Sequence, residues 1–328
     1  MNQIFFELIQ VAIGTRICLS HTPSADEWGE LYAMAKKQSL VGICFAGVQR
    51  LQTQRQNPPE MLYLTWMGMA AKIQQRNEVV NRQCAELQAR LSADGLDSVI
   101  MKGQGVASLY DEHLRGLRQS GDIDVLVDAK LPELLQYVNK VAPTKEVDRH
   151  HIHFDVFTDT EVELHYVPIN HPNPWKNKKL QRWFAETKKN GVVTKLGDGE
   201  IITPCFEFNA VFLLMHIYHH FFNEGVGMRQ LMDYYFVLRI AQTKGFRGFQ
   251  EVSDLVSSLG LERFASALMW VIAYVFEGNN NLKPETQKPS ETTSWMLWQP
   301  TEEDGRILLE EVLKSGNFGK MGEAVRKL

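Results

Sequence analysis

Asp122-Ile123-Asp124-Val125-Leu126-Val127 constrains this chain more than any other segment. Two carboxylates one residue apart open an apolar, β-branched run, which is strand chemistry. Successive strand side chains point to opposite faces, so Asp122 and Asp124 project together and Ile123 points away. Like charges held that close are costly unless a cation sits between them. The segment therefore predicts a strand that opens on a seat for a divalent ion such as Mg²⁺. Upstream, Ser98-Val-Ile-Met-Lys-Gly103 is a second short apolar run, ending in Lys-Gly. Downstream, Glu161-Val-Glu-Leu-His165 offers a third carboxylate on a third strand-like run. Together the three runs point to metal-dependent phosphoryl-type chemistry.

Helix signals surround these strands. Ser24-Ala-Asp-Glu27 is a capping box ahead of Trp28, Leu31 and Ala35. Pro58-Pro59 opens a long helical run to about Ser92, stopped by Asp94-Gly95. Gly105 to Tyr110 reads as one or two helical turns, and Leu131 to Val141 as a helix stopped before Pro143. Ile152 to Phe157 and Val162 to Val167 read as strands joined by a tight turn at Thr158-Asp159-Thr160. Val192 to Lys195 and Glu200 to Thr203 flank Gly197-Asp198-Gly199, a hairpin signal. From about Cys205 the pattern is helical again, with breaks near Gly225, Gly227, Gly245 and Gly260 and a polar loop from Gly278 to Thr293. The expectation is an α+β fold: an N-terminal helical region over 1–95, an α/β core with a small mixed sheet over 96–204, and a C-terminal helical region over 205–328.

With 44% hydrophobic and 23% charged residues, the 328-residue chain has ample apolar mass for a core. A formal net charge of −4 gives no global nucleic-acid signal, so a small-molecule acceptor is expected rather than DNA or RNA. Cys18, Cys44, Cys84 and Cys205 lie far apart in sequence and suggest neither a disulfide framework nor a zinc site, which fits a reduced, cytoplasmic setting. Glu7 interrupts the apolar N-terminus, which reads as an amphipathic helix. The most apolar stretch, Phe206 to Phe222, holds His216, His219 and His220 and is too short and polar to span a membrane. Oligomeric state leaves no mark on the sequence.

The apolar residues follow the first Asp of the Asp-x-Asp pair instead of preceding it. That order favours the polymerase-β-like nucleotidyltransferase arrangement, with a glycine-bearing turn before the Asp-x-Asp strand and a third carboxylate on a neighbouring strand. Met101-Lys-Gly103, Leu109-Tyr110, Arg118 and Gly121-Asp-Ile-Asp-Val-Leu-Val127 resemble the signature of the uncharacterised bacterial nucleotidyltransferase family of that superfamily. Glu163-Leu164-His165 is similar to its acidic-Leu-His strand. His216, His219, Arg229 and Asp233 resemble its later His and Arg-x-x-x-Asp elements, and Gly316-Asn-Phe-Gly319 its C-terminal element. The resemblance covers nearly the whole chain. It implies transfer of an NMP group from an NTP to an unknown acceptor, with release of pyrophosphate.

By that resemblance, Asp122, Asp124 and Glu163 are the catalytic carboxylates and the ligands of Mg²⁺, or of Mn²⁺ in its place. Lys102, Gly103, Gln104 and Arg118 would meet the nucleotide, and Glu163 could also take the acceptor's proton. His165, His216, Arg229 and Asp233 would stand near the acceptor or behind the metal ligands. Gln104 occupies the position where the superfamily usually has a Ser whose hydroxyl touches a phosphate. Phosphate contact would then rest on backbone N–H groups of residues 103–105 and on Lys102 or Arg118. The same departure leaves open a second reading, a nucleotide- or partner-binding protein that keeps the fold and transfers nothing.

Several residues carry a plainer alternative. Lys102 can cap its strand end with the ammonium in water, Arg118 can pair with Asp122, and Arg229 and Asp233 can form a helical ion pair. His165 can orient a carboxylate or simply fill a buried pocket. His150, His151 and His153 invite a zinc reading, but alternation splits them between faces. Trp175, Lys176, Lys178, Lys179, Arg182, Trp183, Lys188, Lys189 and Lys195 form a basic stretch, either a solvated face or a patch for phosphates. Counting Lys102 and Arg118 against three carboxylates leaves negative charge in excess. Asp124→Asn would then relieve repulsion in the metal-free chain.

Overall fold

A computed structural model describes residues 1–144, 146–243, 248–278 and 296–316. The Gly278–Thr293 loop beyond its first residue, Gly245, and 317–319 of the Gly316-Asn-Phe-Gly319 element lie outside the described residues. The fold is mixed α+β, a small sheet with helical flanks. Contacts divide the chain otherwise than the linear order of three regions. One unit gathers residues 1–75, 110–119 and 216–328, and the other 76–109 and 120–215.

The first unit is helical throughout its described residues. Helix Asn2–Ile13 is buried from Ile4 onward and ends at Gly14, whose φ of 84° is the left-handed conformation that closes a helix. Helix Ala25–Lys37 carries the capping box in full: Glu27 N–H donates to the Ser24 hydroxyl, and Ser24 N–H donates to the Glu27 carboxylate. Helix Val41–Leu51 approaches its neighbours through glycines. A Cβ on Gly42 would stand 2.2 Å from the Leu117 carbonyl oxygen. The unit also holds helices Glu112–Arg115, Met228–Thr243, Phe249–Leu259, Glu262–Ile272 and Glu302–Ser315, with the N-terminal part of Glu60–Ala93 and the C-terminal part of Phe206–Asn223.

The second unit holds the sheets. Its four-stranded sheet comprises β1 (Ser98–Met101), β2 (Ile123–Val127), β3 (His151–His153) and β4 (Val162–His165), in spatial order β1-β2-β4-β3. β2 and β4 are parallel and the two outer pairings antiparallel. A separate hairpin pairs β5 (Val192–Leu196) with β6 (Gly199–Thr203) around Gly197, whose φ is 59°. Alternation sorts the main sheet cleanly. Ile100, Ile123, Val125, Val127, Ile152, Val162 and Leu164 build a core with Val80, Cys84, Leu87 and Leu91 of helix Glu60–Ala93 and Leu134 and Val138 of helix Leu131–Val141. Met101, Asp124, Glu163, His165, His151 and His153 take the other face.

Three polar clamps set this sheet. Arg76 and Gln83 bond Asp159 and Thr160, which pins the turn between β3 and β4. Gln88 donates to the Ser98 and Ile202 carbonyls and accepts from the Ile202 N–H, tying β1 to β6. Lys188 meets Asp128 at 2.6 Å. No helix among the described residues is long and apolar enough to cross a membrane.

Candidate active site

β2 and β4 run parallel with Asp124 opposite Glu163, and Met101, the last residue of β1, lies opposite Asp124 on its other side. Residues in register share a face, so both carboxylates leave the sheet on the same side. Asp124 is 2% exposed. Its Oδ1 receives Lys102 Nζ at 2.7 Å and lies 3.0 Å from His165 Nε2. The same Nε2 is 3.3 Å from Glu163 Oε2, so one imidazole N–H is shared between two carboxylates. Donor atoms of Asp124, Glu163 and His165 all lie within 4.8 Å of one another.

Asp122 stands one residue ahead of β2 and is half-buried. Its charge reaches both Lys102 and Glu163, but the close group takes His165 where Asp122 was expected. Asp122 lies outside the strand, so ladder hydrogen bonds do not fix its direction as they fix that of Asp124.

Charge at the site follows from these contacts. Burial pushes the Lys102 ammonium towards neutrality, but the charges of Asp124, Asp122 and Glu163 overcome it and raise its pKa. Burial likewise lifts the Glu163 carboxyl, yet the His165 hydrogen bond and the Lys102 charge hold it at about 2. His165 is drawn down by burial and raised on balance by hydrogen bonds to Asp124 and Glu163. Lys102 and a protonated His165 thus set two positive groups locally against the three carboxylates. Asp124 and Glu163, with Asp122 close by, form a donor set that fits a hard divalent cation once Lys102 yields its place.

The Lys-Gly turn is strained. Lys102 has φ 30° and Gly103 φ 33°, both positive, directly after β1. Left-handed backbone is costly for a lysine and costs a glycine little. Gly105 follows because a Cβ there would stand 2.3 Å from the Ile100 carbonyl oxygen. Gln104 is buried, and its amide nitrogen donates to Asn77 at 3.4 Å and to Asn81. Its Oε1 has no hydrogen-bond partner among the described residues. The side chain standing where a phosphate-touching Ser would be is therefore turned into a buried amide cluster.

Arg118 is also engaged. Its Nε and Nη2 each stand 2.7 Å from a different oxygen of Asp233, a bidentate fork 3% exposed at either residue. Tyr110 donates to the same Asp233 at 2.7 Å. Arg229 donates to the Gln119 carbonyl at 2.9 Å. His216 lies 3.0 Å from His220, nitrogen to nitrogen. Arg118 and Asp233 thus form a buried pair, and the half-buried Arg229 joins it through the Gln119 carbonyl, which Arg118 also meets.

Sequence reasoning missed the part played by β3. His151 and His153 stand opposite His165 and Glu163 on the site's own face. His151 Nε2 is 3.5 Å from Glu163 Oε1 and 3.4 Å from His153 Nε2. Burial, with the neighbouring rings of His165 and His151, holds His150 at about 4, and burial lowers His151 too. The basic stretch opens on helix Pro174–Thr187, capped by Asn173, with Trp175 82% exposed.

Residues 24–277 match a protein family described as uncharacterised nucleotidyltransferase. No curated protein matches the chain. Among solved structures, an antigenic nucleotidyltransferase-like protein from Paracoccidioides brasiliensis is similar at 13% identity, over 55% of this chain and 91% of that one. Its TM-score of 0.33 is too low to carry an argument.

Proposed function

The chain belongs to the uncharacterised nucleotidyltransferase family, and from that premise we propose that it moves an NMP group from an NTP to an acceptor hydroxyl or similar group, releasing pyrophosphate. In this reading it is a bacterial, cytoplasmic member of the polymerase-β-like superfamily, and its acceptor is a small molecule. The observation that carries the reading is the register of Asp124 with Glu163, two carboxylates on one sheet face beside a strained Lys-Gly turn.

Asp122, Asp124 and Glu163 are the residues that would hold Mg²⁺, or Mn²⁺ in its place. Such an ion, when bound, neutralises triphosphate charge and lowers the pKa of an acceptor hydroxyl. Glu163, held at about 2, stays ionised through neutral pH, which suits a ligand. The same low pKa makes it a weak proton acceptor, so holding cations is its better role. His165 donates to both carboxylates and fixes their spacing.

Lys102 offsets Asp124 in the nucleotide-free chain and has phosphate oxygens to neutralise when an NTP arrives. Gly103 and Gln104 offer backbone N–H groups to the phosphates, the Gln104 amide being spent on Asn77 and Asn81. Arg118 is committed to Asp233 by two nitrogens of its guanidinium.

The test is pyrophosphate release and label transfer from each α-labelled NTP, with Mg²⁺ and a small-molecule extract as acceptor source. Release by the wild type and none by Asp124→Asn is expected. A wild type whose melting temperature rises with Mg²⁺ and NTP, but which releases no pyrophosphate with any acceptor fraction, would show binding without transfer and overturn the reading.

A further inference from the structure

We propose that His151, His153 and Glu163 form a second cation site, selective for a borderline-soft divalent ion of the Zn²⁺ type. The site shares Glu163 with the proposed Mg²⁺ seat but does not rest on the transferase reading.

The argument begins with register. β3 pairs antiparallel to β4, with His153 opposite Glu163 and His151 opposite His165. Alternation leaves His151 and His153 together on one face, and the third donor comes across the ladder from Glu163. His150 stands one residue ahead of β3, outside that alternation, with its ring edge-on to that of His151 and close to His165.

Two of the three donor separations are those of a tetrahedral ion's ligands. Zn²⁺ bonds imidazole nitrogen and carboxylate oxygen at about 2.0–2.1 Å, which puts tetrahedral donors about 3.3–3.4 Å apart. His151 Nε2 lies 3.4 Å from His153 Nε2 and 3.5 Å from Glu163 Oε1. One donor atom from each residue falls within 4.8 Å of the others.

The donor types select the ion. Two imidazoles and one carboxylate suit Zn²⁺ and its neighbours, whereas Mg²⁺ takes oxygen ligands. Three protein donors leave the fourth tetrahedral position open to water or a ligand. Glu163 divides its oxygens accordingly: Oε1 faces His151, and Oε2 faces His165 beside Asp124. The carboxylate can therefore bridge the imidazole site and the Asp124 site. His151 is 7% exposed and His153 half-buried, which gives the site a dry inner side and an open outer one.

The experiment uses the full chain stripped of metal and needs no nucleotide, so failure of the transferase reading leaves it intact. ZnCl₂ is titrated by calorimetry, and CoCl₂ by visible absorption. The wild type is expected to bind one Zn²⁺ per chain and to give the intense visible bands of tetrahedral cobalt. His153→Ala should weaken Zn²⁺ binding at least ~100-fold, beyond the ~10–100-fold that loss of a supporting partner costs. His153→Cys, which restores a donor, should recover binding and add a thiolate-to-cobalt band in the near ultraviolet. Asp122→Asn should leave Zn²⁺ affinity within ~3-fold of wild type, a smaller change than loss of even a supporting partner. Absence of tetrahedral cobalt bands in the wild type overturns the proposal. So does His153→Ala binding Zn²⁺ as tightly as wild type, or Asp122→Asn abolishing binding that His153→Ala keeps.

Discussion

Lys102 Nζ stands 2.7 Å from Oδ1 of Asp124, and the pair is largely withdrawn from water, at 17% and 1% side-chain exposure. A strained lysine directly after β1 thus neutralises the carboxylate near the start of β2. The chain needs no ion to tolerate Asp124.

Asp124→Asn should therefore destabilise the metal-free chain, opposite to what a count of charges along the sequence implies. Removing one partner of a buried pair strands the other, at a cost on the order of 3 kcal/mol. Lys102 and His165 would both lose the negative charge of their shared acceptor. Urea unfolding of the metal-free wild type and variant measures the difference. An unchanged or raised midpoint would mean that repulsion, not pairing, governs Asp124.

The Arg118–Asp233 fork makes a different claim, about stability in the first unit. Arg118→Ala leaves Asp233 and the Tyr110 hydroxyl buried around an uncompensated charge, and should cost on the order of 3–5 kcal/mol. Arg118→Lys keeps the charge but not the planar fork, and should fall between wild type and alanine. Equilibrium unfolding reads both. Two variants as stable as wild type, with weakened NTP binding, would return Arg118 to the phosphates.

These two pairs show what the sequence could and could not carry. Period-2 alternation was enough to put Asp124 and Glu163 on polar faces and Val125 and Leu164 in the core. Breaker chemistry placed the ends of helix Leu131–Val141 and the β5–β6 hairpin, and capping chemistry the start of helix Ala25–Lys37. Alternation says nothing of which strand neighbours which. The alignment of His153 with Glu163 became visible only with the β3–β4 ladder. Arg118 finds Asp233 across 115 residues, and Arg229, four residues ahead of Asp233, donates to the Gln119 carbonyl. Helical spacing proposes local pairs, and only tertiary packing brings in the distant ones.

Glycine substitutions test the backbone approaches. Gly105→Ala would drive a Cβ to 2.3 Å from the Ile100 carbonyl oxygen, a rigid backbone atom. Forcing β1 and the following turn apart should cost on the order of 3 kcal/mol, the upper part of the overpacking range. Gly68→Ala is the control. It is exposed within helix Glu60–Ala93 with nothing within 4 Å of the new Cβ, and should gain about 1 kcal/mol from helix propensity. Thermal melts of both variants decide the matter; equal effects would show that the Gly105 approach is not tight.

Acid should unfold the chain in two stages. His150 is held at about 4 against an ordinary 6.5, so below 6.5 the unfolded chain binds protons that the folded chain refuses. Its contribution is complete above 6.5 and disappears as pH falls through about 4. Glu163, at about 2 against an ordinary 4.5, acts in the same direction one stage lower, its contribution fading between 4.5 and about 2. His165, raised by Asp124 and Glu163, runs the other way: its contribution is full below 6.5 and is lost as pH climbs through the raised value. Urea midpoints of the metal-free chain should thus fall steadily from pH 6.5 to 4. His150→Asn should flatten that limb while leaving the steeper loss below 4.5. A wild-type midpoint that holds level from 6.5 to 4 would show that His150 titrates as freely in the folded chain as in the unfolded one, and that the histidine cluster is open to water.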